Sequence, residues 1–343
     1  MAYYHQRPER PVSRRSFMEK SLIATGMAAA GTIAGTAYVA LNNSGADLPA
    51  RADELPPGPQ ISGTVATARP AALAPAGADT TKQLTLEAID ATVEIAAGVR
   101  YNAWTFGGSV PAPVIRLRQG DTLNFTLRNN GRTGHSIDFH AAQIPWDVNY
   151  KTILPGETFS FSWQANLPGA FMYHCGTAPV LHHIANGMYG AVIVDPETPF
   201  EPAREYWFVQ SEFYAQAGAG GAWDASMDKM KAARPDLLGF NGIAFQYRDN
   251  PLPAKAGEKL RLYVVNAGPT LFSAFHVIGA LFDKVYVDGN PANELRGLQT
   301  HTIAPGGGAV FELTIPIAGK YPFVTHNFAY TELGAVGLFD VTA

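Results

Sequence analysis

Two twelve-residue stretches, 120–131 and 257–268, have the same length and pattern: each is an alternating polar and apolar run closed at both ends by glycine. Period-two alternation is the signature of a half-buried β-strand. A second pair, 156–163 and 308–315, repeats another strand of this kind, and its offset carries His174 onto His326 and Cys175 onto Asn327. Self-similarity at this scale restricts the chain to two related β-sandwiches in tandem. The 343-residue length agrees with two domains, and abundant Gly and Pro with short Val-, Phe-, Tyr- and Thr-containing runs predict an all-β chain. Residues 223–233 have helical spacing and end at Arg234-Pro235, which predicts one short helix in the second half.

The first residues read differently. Ser13, Arg14, Arg15, Ser16 and Phe17 lead into an Ala/Gly-rich apolar stretch over 21–41, with no charge between Lys20 and Asp47. This segment, 1–46, resembles a twin-arginine export signal and predicts a periplasmic or otherwise extracytoplasmic protein, with membrane attachment only if the segment is retained. Residues 47–82 are rich in Pro, Ala and Gly without hydrophobic periodicity and read as a linker. The predicted sandwiches occupy 83–199 and 200–343. A net charge of -4 and the lack of a basic cluster after the first twenty residues argue against nucleic acid as a partner.

The single cysteine excludes an intramolecular disulfide. Cys175 sits between His174 and His183, with Met188 five residues further and His135 forty residues earlier. A lone cysteine is ordinarily a small buried core residue. Three of only nine histidines fall within 174–183, however, and two imidazoles, a thiolate and a thioether form the donor set of a blue-copper site.

Side chains alternate faces along a strand, so His135 and His140, five apart, should diverge, as should the adjacent His174 and Cys175. One site then gathers His135, Cys175, His183 and Met188. His140 and His174 face elsewhere with Asp138, and a third ligand for them is available from His276, His301 or His326. Two metal sites joined by one peptide bond are expected.

These motifs, together with Tyr173 to Met188, Phe275-His276-Val277-Ile278 and Thr325-His326-Asn327-Phe328, resemble the two-domain copper nitrite reductases. The resemblance implies two tandem cupredoxin-like Greek-key sandwiches assembled as homotrimers, with one type 1 and one type 2 copper per subunit. His135, Cys175, His183 and Met188 would hold type 1 copper. His140 and His174 would hold type 2 copper, with His326 supplied by the neighbouring subunit. Asp138 and His276 match the proton-delivering pair and Ile278 the apolar residue shaping the pocket. Nitrite would be reduced to nitric oxide and water with an electron from a small cupredoxin or cytochrome c, passed through His174-Cys175.

Position 182 is His where many relatives have Trp, and Leu281 stands where a second histidine is often found. His182 reads as an exposed or neighbouring imidazole and His301 as structural. The rival enzyme is a laccase-like multicopper oxidase, whose trinuclear cluster uses eight histidines in His-x-His pairs and a His-Cys-His run. No His-x-His occurs here and Cys175 is followed by Gly176. The non-catalytic rival is an electron-transfer cupredoxin, which would have no use for Asp138, His140, His174, His276 and His326 together.

Overall fold

The structure, a computed structural model, describes residues 55–343; the export segment expected over 1–46 lies outside them. The first half contributes β1 (Thr81–Ala96), β2 (Val99–Phe106), β3 (Ile115–Arg118), β4 (Thr122–Asn129), β5 (Asp138–Phe139), β6 (Thr158–Gln164), β7 (Gly169–His174) and β8 (Tyr189–Asp195). The second contributes β9 (Arg204–Phe213), β10 (Ala215–Ala217), β11 (Trp223–Ala225), β12 (Leu237–Phe240), β13 (Leu252–Lys255), β14 (Lys259–Gly268), β15 (Ser273–Val277), β16 (Phe282–Val287), β17 (Glu294–Leu298), β18 (Thr300–Ile303), β19 (Gly308–Thr314), β20 (Gly319–Thr325) and β21 (Val336–Thr342).

They form four sheets, in the orders β10-β11-β2-β1-β4-β6, β3-β8-β7-β5, β12-β9-β14-β19-β16-β17 and β13-β21-β20-β15-β18. The first two enclose one core, with Phe125, Leu127 and Trp163 facing Leu117, Phe139, Tyr173 and Val192. The last two enclose a second, rich in phenylalanine: Phe208, Phe240, Phe275, Phe311, Phe323 and Phe339. The protein is thus a tandem of cupredoxin-type sandwiches. A third apolar layer, including Met172, Ala191, Tyr263 and Val310, packs the sandwiches on each other.

The repeat is visible in pairing. β4 runs antiparallel to β6 and parallel to β1, as β14 runs antiparallel to β19 and parallel to β9. Even a turn device recurs. The Asn129 amide donates to the carbonyls of Thr133 and Ile153 while its oxygen accepts from Gly131 N. Asn266 does the same with Leu271, Ile303 and Gly268.

Three expectations need correction. Residues 223–225 pair as a strand, Trp223 opposite Tyr101, so the helix is confined to Met227–Lys231; the edge of a neighbouring sheet overrides the local helical spacing. That helix is also not alone. Short helices cover Trp146–Asn149, Val180–Ala185, Gln246–Asp249 and Phe328–Thr331. Finally, the Pro/Ala/Gly-rich segment packs as it approaches β1, which begins at Thr81. Val65 N donates to Asp249, Arg69 N to Gln246, and Trp207 N to Ala71 O.

Candidate metal centres

β7 separates the two groups of ligands by parity. Tyr173 and Cys175 point into the first core. Ala170 and Met172 point to the layer between the sandwiches, and His174 continues that second face. Upstream, the segment around β5 makes the same division although only Asp138 and Phe139 are paired as strand. Ile137 and Phe139 are buried, while Asp138 and His140 lie outward. The His135 backbone is held in a two-bond bridge to Ile153.

The inner cluster is His135, Cys175 and His183, all buried. His183 Nδ1 lies 3.3 Å from both His135 Nδ1 and Cys175 Sγ, and Sγ is 4.0 Å from His135 Nδ1. Two imidazole nitrogens each about 2.0 Å from one metal ion, at a tetrahedral angle, stand roughly 3.3 Å apart. The donor spacing therefore fits a single ion. Met188 is buried, with its carbonyl accepting from Cys175 N at 3.1 Å and its N donating to His183 O at 3.2 Å. Ser136 N donates to Sγ at 3.4 Å, and Ser136 Oγ accepts from Gly176 N.

Electrostatics among these side chains favour neutral groups. Burial lowers the His135 pKa to about 4, and burial with the neighbouring imidazoles His135 and His182 lowers that of His183 to about 4. Burial pushes the Cys175 thiol up, against the opposing hydrogen bonds of Ser136 and Thr177. Neutral imidazoles are ready ligands, and the thiolate needs a cation to offset its desolvation.

The outer cluster is Asp138, His140 and His174. His174 Nδ1 lies 2.9 Å from the Cys175 carbonyl and His140 Nδ1 lies 3.0 Å from the Gly306 carbonyl. A carbonyl only accepts, so each Nδ1 carries the proton and each Nε2 is left with a lone pair. Those two Nε2 atoms face each other at 3.1 Å. Two lone pairs at this separation repel unless a cation lies between them, and anchoring the remote ring nitrogen on a carbonyl is how metal-bound histidines are oriented. Asp138 Oδ2 is 3.9 Å from His174 Nε2. Burial lowers the His174 pKa, which again favours the ligating form.

The two clusters match type 1 and type 2 copper sites, and adjacent residues, Cys175 and His174, connect them. A family model described as multicopper oxidase matches residues 87–199. The copper-containing nitrite reductase of Neisseria gonorrhoeae is 42% identical over 265 residues, 75% of this chain and 67% of that protein. The chain belongs to the copper-containing nitrite reductases. A copper nitrite reductase from Nitrosomonas europaea superposes with a TM-score of 0.72 at 39% identity, covering 76% of this chain and 94% of that one. For the copper-containing nitrite reductase of Thermus scotoductus SA-01 the score is 0.70 at 33% identity, covering 76% and 62%.

The remaining residues expected from this nitrite reductase family sit apart from the outer cluster. His276 and His326 form their own pair on the second sandwich, ring centroids 5.2 Å apart, and neither joins Asp138, His140 and His174 within one chain. His276 Nδ1 donates to the Gln299 carbonyl. Ile278, Leu281 and Phe328, near this pair in sequence, are apolar and exposed at 38%, 63% and 48%. His182 lies tilted against Trp104, outside both clusters, while His301 packs its ring toward Phe311. Sequence reasoning missed Ser136, Gly306 and Trp104. The Gly306-Gly307-Gly308 run was the one visible hint, since a Cβ on Gly306 would stand 3.2 Å from His140 Cε1.

Proposed function

We propose that the protein is an exported, homotrimeric copper enzyme that reduces nitrite to nitric oxide and water. One electron and two protons balance that reaction, so the chain must bring electron entry and proton delivery to one place. The observation that carries the reading is the junction of the two donor clusters at Cys175 and His174, which gives a covalent path one peptide bond long. Copper supplies one-electron redox chemistry at both sites and, at the outer one, an open position for an anion.

In this reading Met188 completes the inner ligand set. The outer set is completed by His326 of a neighbouring copy. Because His276 and His326 lie together on one sheet, the neighbour delivers both, and a site exists only where two subunits meet. Asp138 borders a cavity of about 450 Å³ walled by Trp146, Tyr150 and Thr152, with Trp146 75% exposed in the single chain. Exposed apolar side chains in both halves suit burial between subunits. Asp138 holds one proton beside nitrite. His276, its Nδ1 committed to Gln299, delivers the other through Nε2. Ile278 limits the space over the anion.

The electron donor is a small cupredoxin or cytochrome c. Export by the twin-arginine route rests on Arg14 and Arg15 and the apolar stretch behind them; among the described residues no helix is long and apolar enough to cross a membrane. The sandwiches divide at about residue 200. An oxidase of laccase type would draw its trinuclear site from His-x-His pairs and a His-Cys-His run, and the sequence has neither. The test is nitric oxide release from nitrite by copper-loaded protein with an artificial reductant, without oxygen. Copper-dependent release supports the assignment; no release with both coppers bound overturns it.

A further inference from the structure

Trp104, on β2, touches the inner cluster from outside at several points. Its indole lies 4.7 Å from the His183 ring and 4.6 Å from His182, both tilted, and meets His135 edge-on at 5.6 Å. Its backbone is engaged as well. Trp104 N donates to Asn186 O at 3.1 Å, in the segment between His183 and Met188. Next to it Gly187, at φ 118°, comes so close that a Cβ there would lie 2.9 Å from the Trp104 carbonyl oxygen. One residue therefore contacts both imidazoles of the cluster and fixes the chain that carries the second of them.

The indole is half-buried. It forms part of the wall of a cavity of about 510 Å³, lined by Asp90, Asn102, Arg132 and Asp224 together with several alanines. Asn102 donates to Asp224, and Arg132 pairs with Asp90. Trp104 thus stands between a recess with charged walls and two ligand rings. The apolar shell of a metal site governs water access and local dielectric, and with them the reduction potential.

We propose that Trp104 is a positioning residue of the type 1 site, fixing the ring planes of His135 and His183 and excluding water from their outer edge. The proposal rests on the reading of His135, Cys175 and His183 as the type 1 ligand set. Where many relatives carry Trp at the position before the second ligand histidine, this chain has His182, and the indole on that ring comes instead from β2, 78 residues earlier in the chain.

The test compares copper-loaded wild type with Trp104→Leu and Trp104→Phe by copper content, visible spectrum, thermal midpoint and the equilibrium constant for reduction by the hexacyanoferrate couple. Wild type must first show the intense thiolate band; its absence counts against the ligand assignment and not against Trp104. With the band present, Trp104→Leu is expected to keep its copper, to change the relative band intensities, and to shift the equilibrium constant by about threefold or more. Trp104→Phe, which retains an aromatic wall but withdraws the outer ring, shifts the same quantities less. A wild-type spectrum and equilibrium constant in Trp104→Leu, with or without a lower thermal midpoint, overturns the proposal and leaves a packing role only. Should Trp104→Leu fail to fold, unshifted values in Trp104→Phe overturn it equally.

Discussion

The imidazole of His140 is held by the backbone of Gly306, a carbonyl 166 residues further along the chain and in the other sandwich. One ligand of the outer site is therefore oriented by the repeat that does not contain it. Gly306 sits at φ 81°, where glycine is favoured, and its missing Cβ leaves room for His140 Cε1. Gly306→Ala should weaken type 2 copper binding by roughly tenfold while leaving type 1 copper in place. Copper titration followed by electron paramagnetic resonance checks this; equal loss of both coppers would contradict it.

Cys175→Ala should remove the intense visible band entirely and spare type 2 copper, because His140 and His174 keep both of their carbonyl anchors. A surviving band would refute the type 1 assignment.

Asp138→Asn keeps the size of the side chain and removes its acid–base function. Nitrite turnover should fall by about a hundredfold, the scale of acid-base catalysis, with both coppers bound. His276→Ala should behave alike, and unchanged turnover in both variants would remove the pair from proton delivery.

Subunit complementation separates an inter-subunit site from one within a chain. His140→Ala and His326→Ala should each be inactive alone. Refolded or co-expressed together in equal amount, they should regain about a quarter of wild-type activity, because random trimers then bring an intact His140 face against an intact His326 face at that frequency. No recovery in mixed trimers would contradict the shared site.

The inner imidazoles also make a pH prediction for the metal-free protein. Their ordinary pKa is 6.5 and burial lowers both to about 4. Between those values the unfolded chain binds protons that the folded one does not, so their contribution is fully present above pH 6.5 and is lost as pH falls toward 4. The thermal midpoint should drop between pH 7 and pH 5, and the drop should shrink when His135 and His183 are both replaced by Gln. An equal drop in that double variant would assign the effect elsewhere.

Much of this site was legible because alternation survives outside regular strands. His135 and His140 fall on opposite faces as period two requires, even though only two residues between them pair as β5. The chain stays extended, with Ile137 and Phe139 keeping inward parity. The repeat was legible for a similar reason, since glycine-bounded runs pair alike in each sandwich. What escaped depends on distant partners. Trp104 carries no local pattern tying it to a ligand, and Gly306 shows only its place in a run of three glycines. The turn of helix Val180–Ala185 that presents His183 follows Pro179 and is too short to mark a period. Residues 223–225 became strand because β2 offered them an edge.

That edge has one more consequence. β10 and β11 come from the second half of the chain but extend the first sandwich's sheet beyond β2, with Asn102 bonded to Asp224 across the seam. A fragment stopping near residue 200 would bare the flank of β2 together with the apolar layer shared by the sandwiches. Unpaired strand edges of this kind template self-association. The two halves, similar enough to be read as copies, are not interchangeable modules: expressed alone, the copper-thiolate half should aggregate.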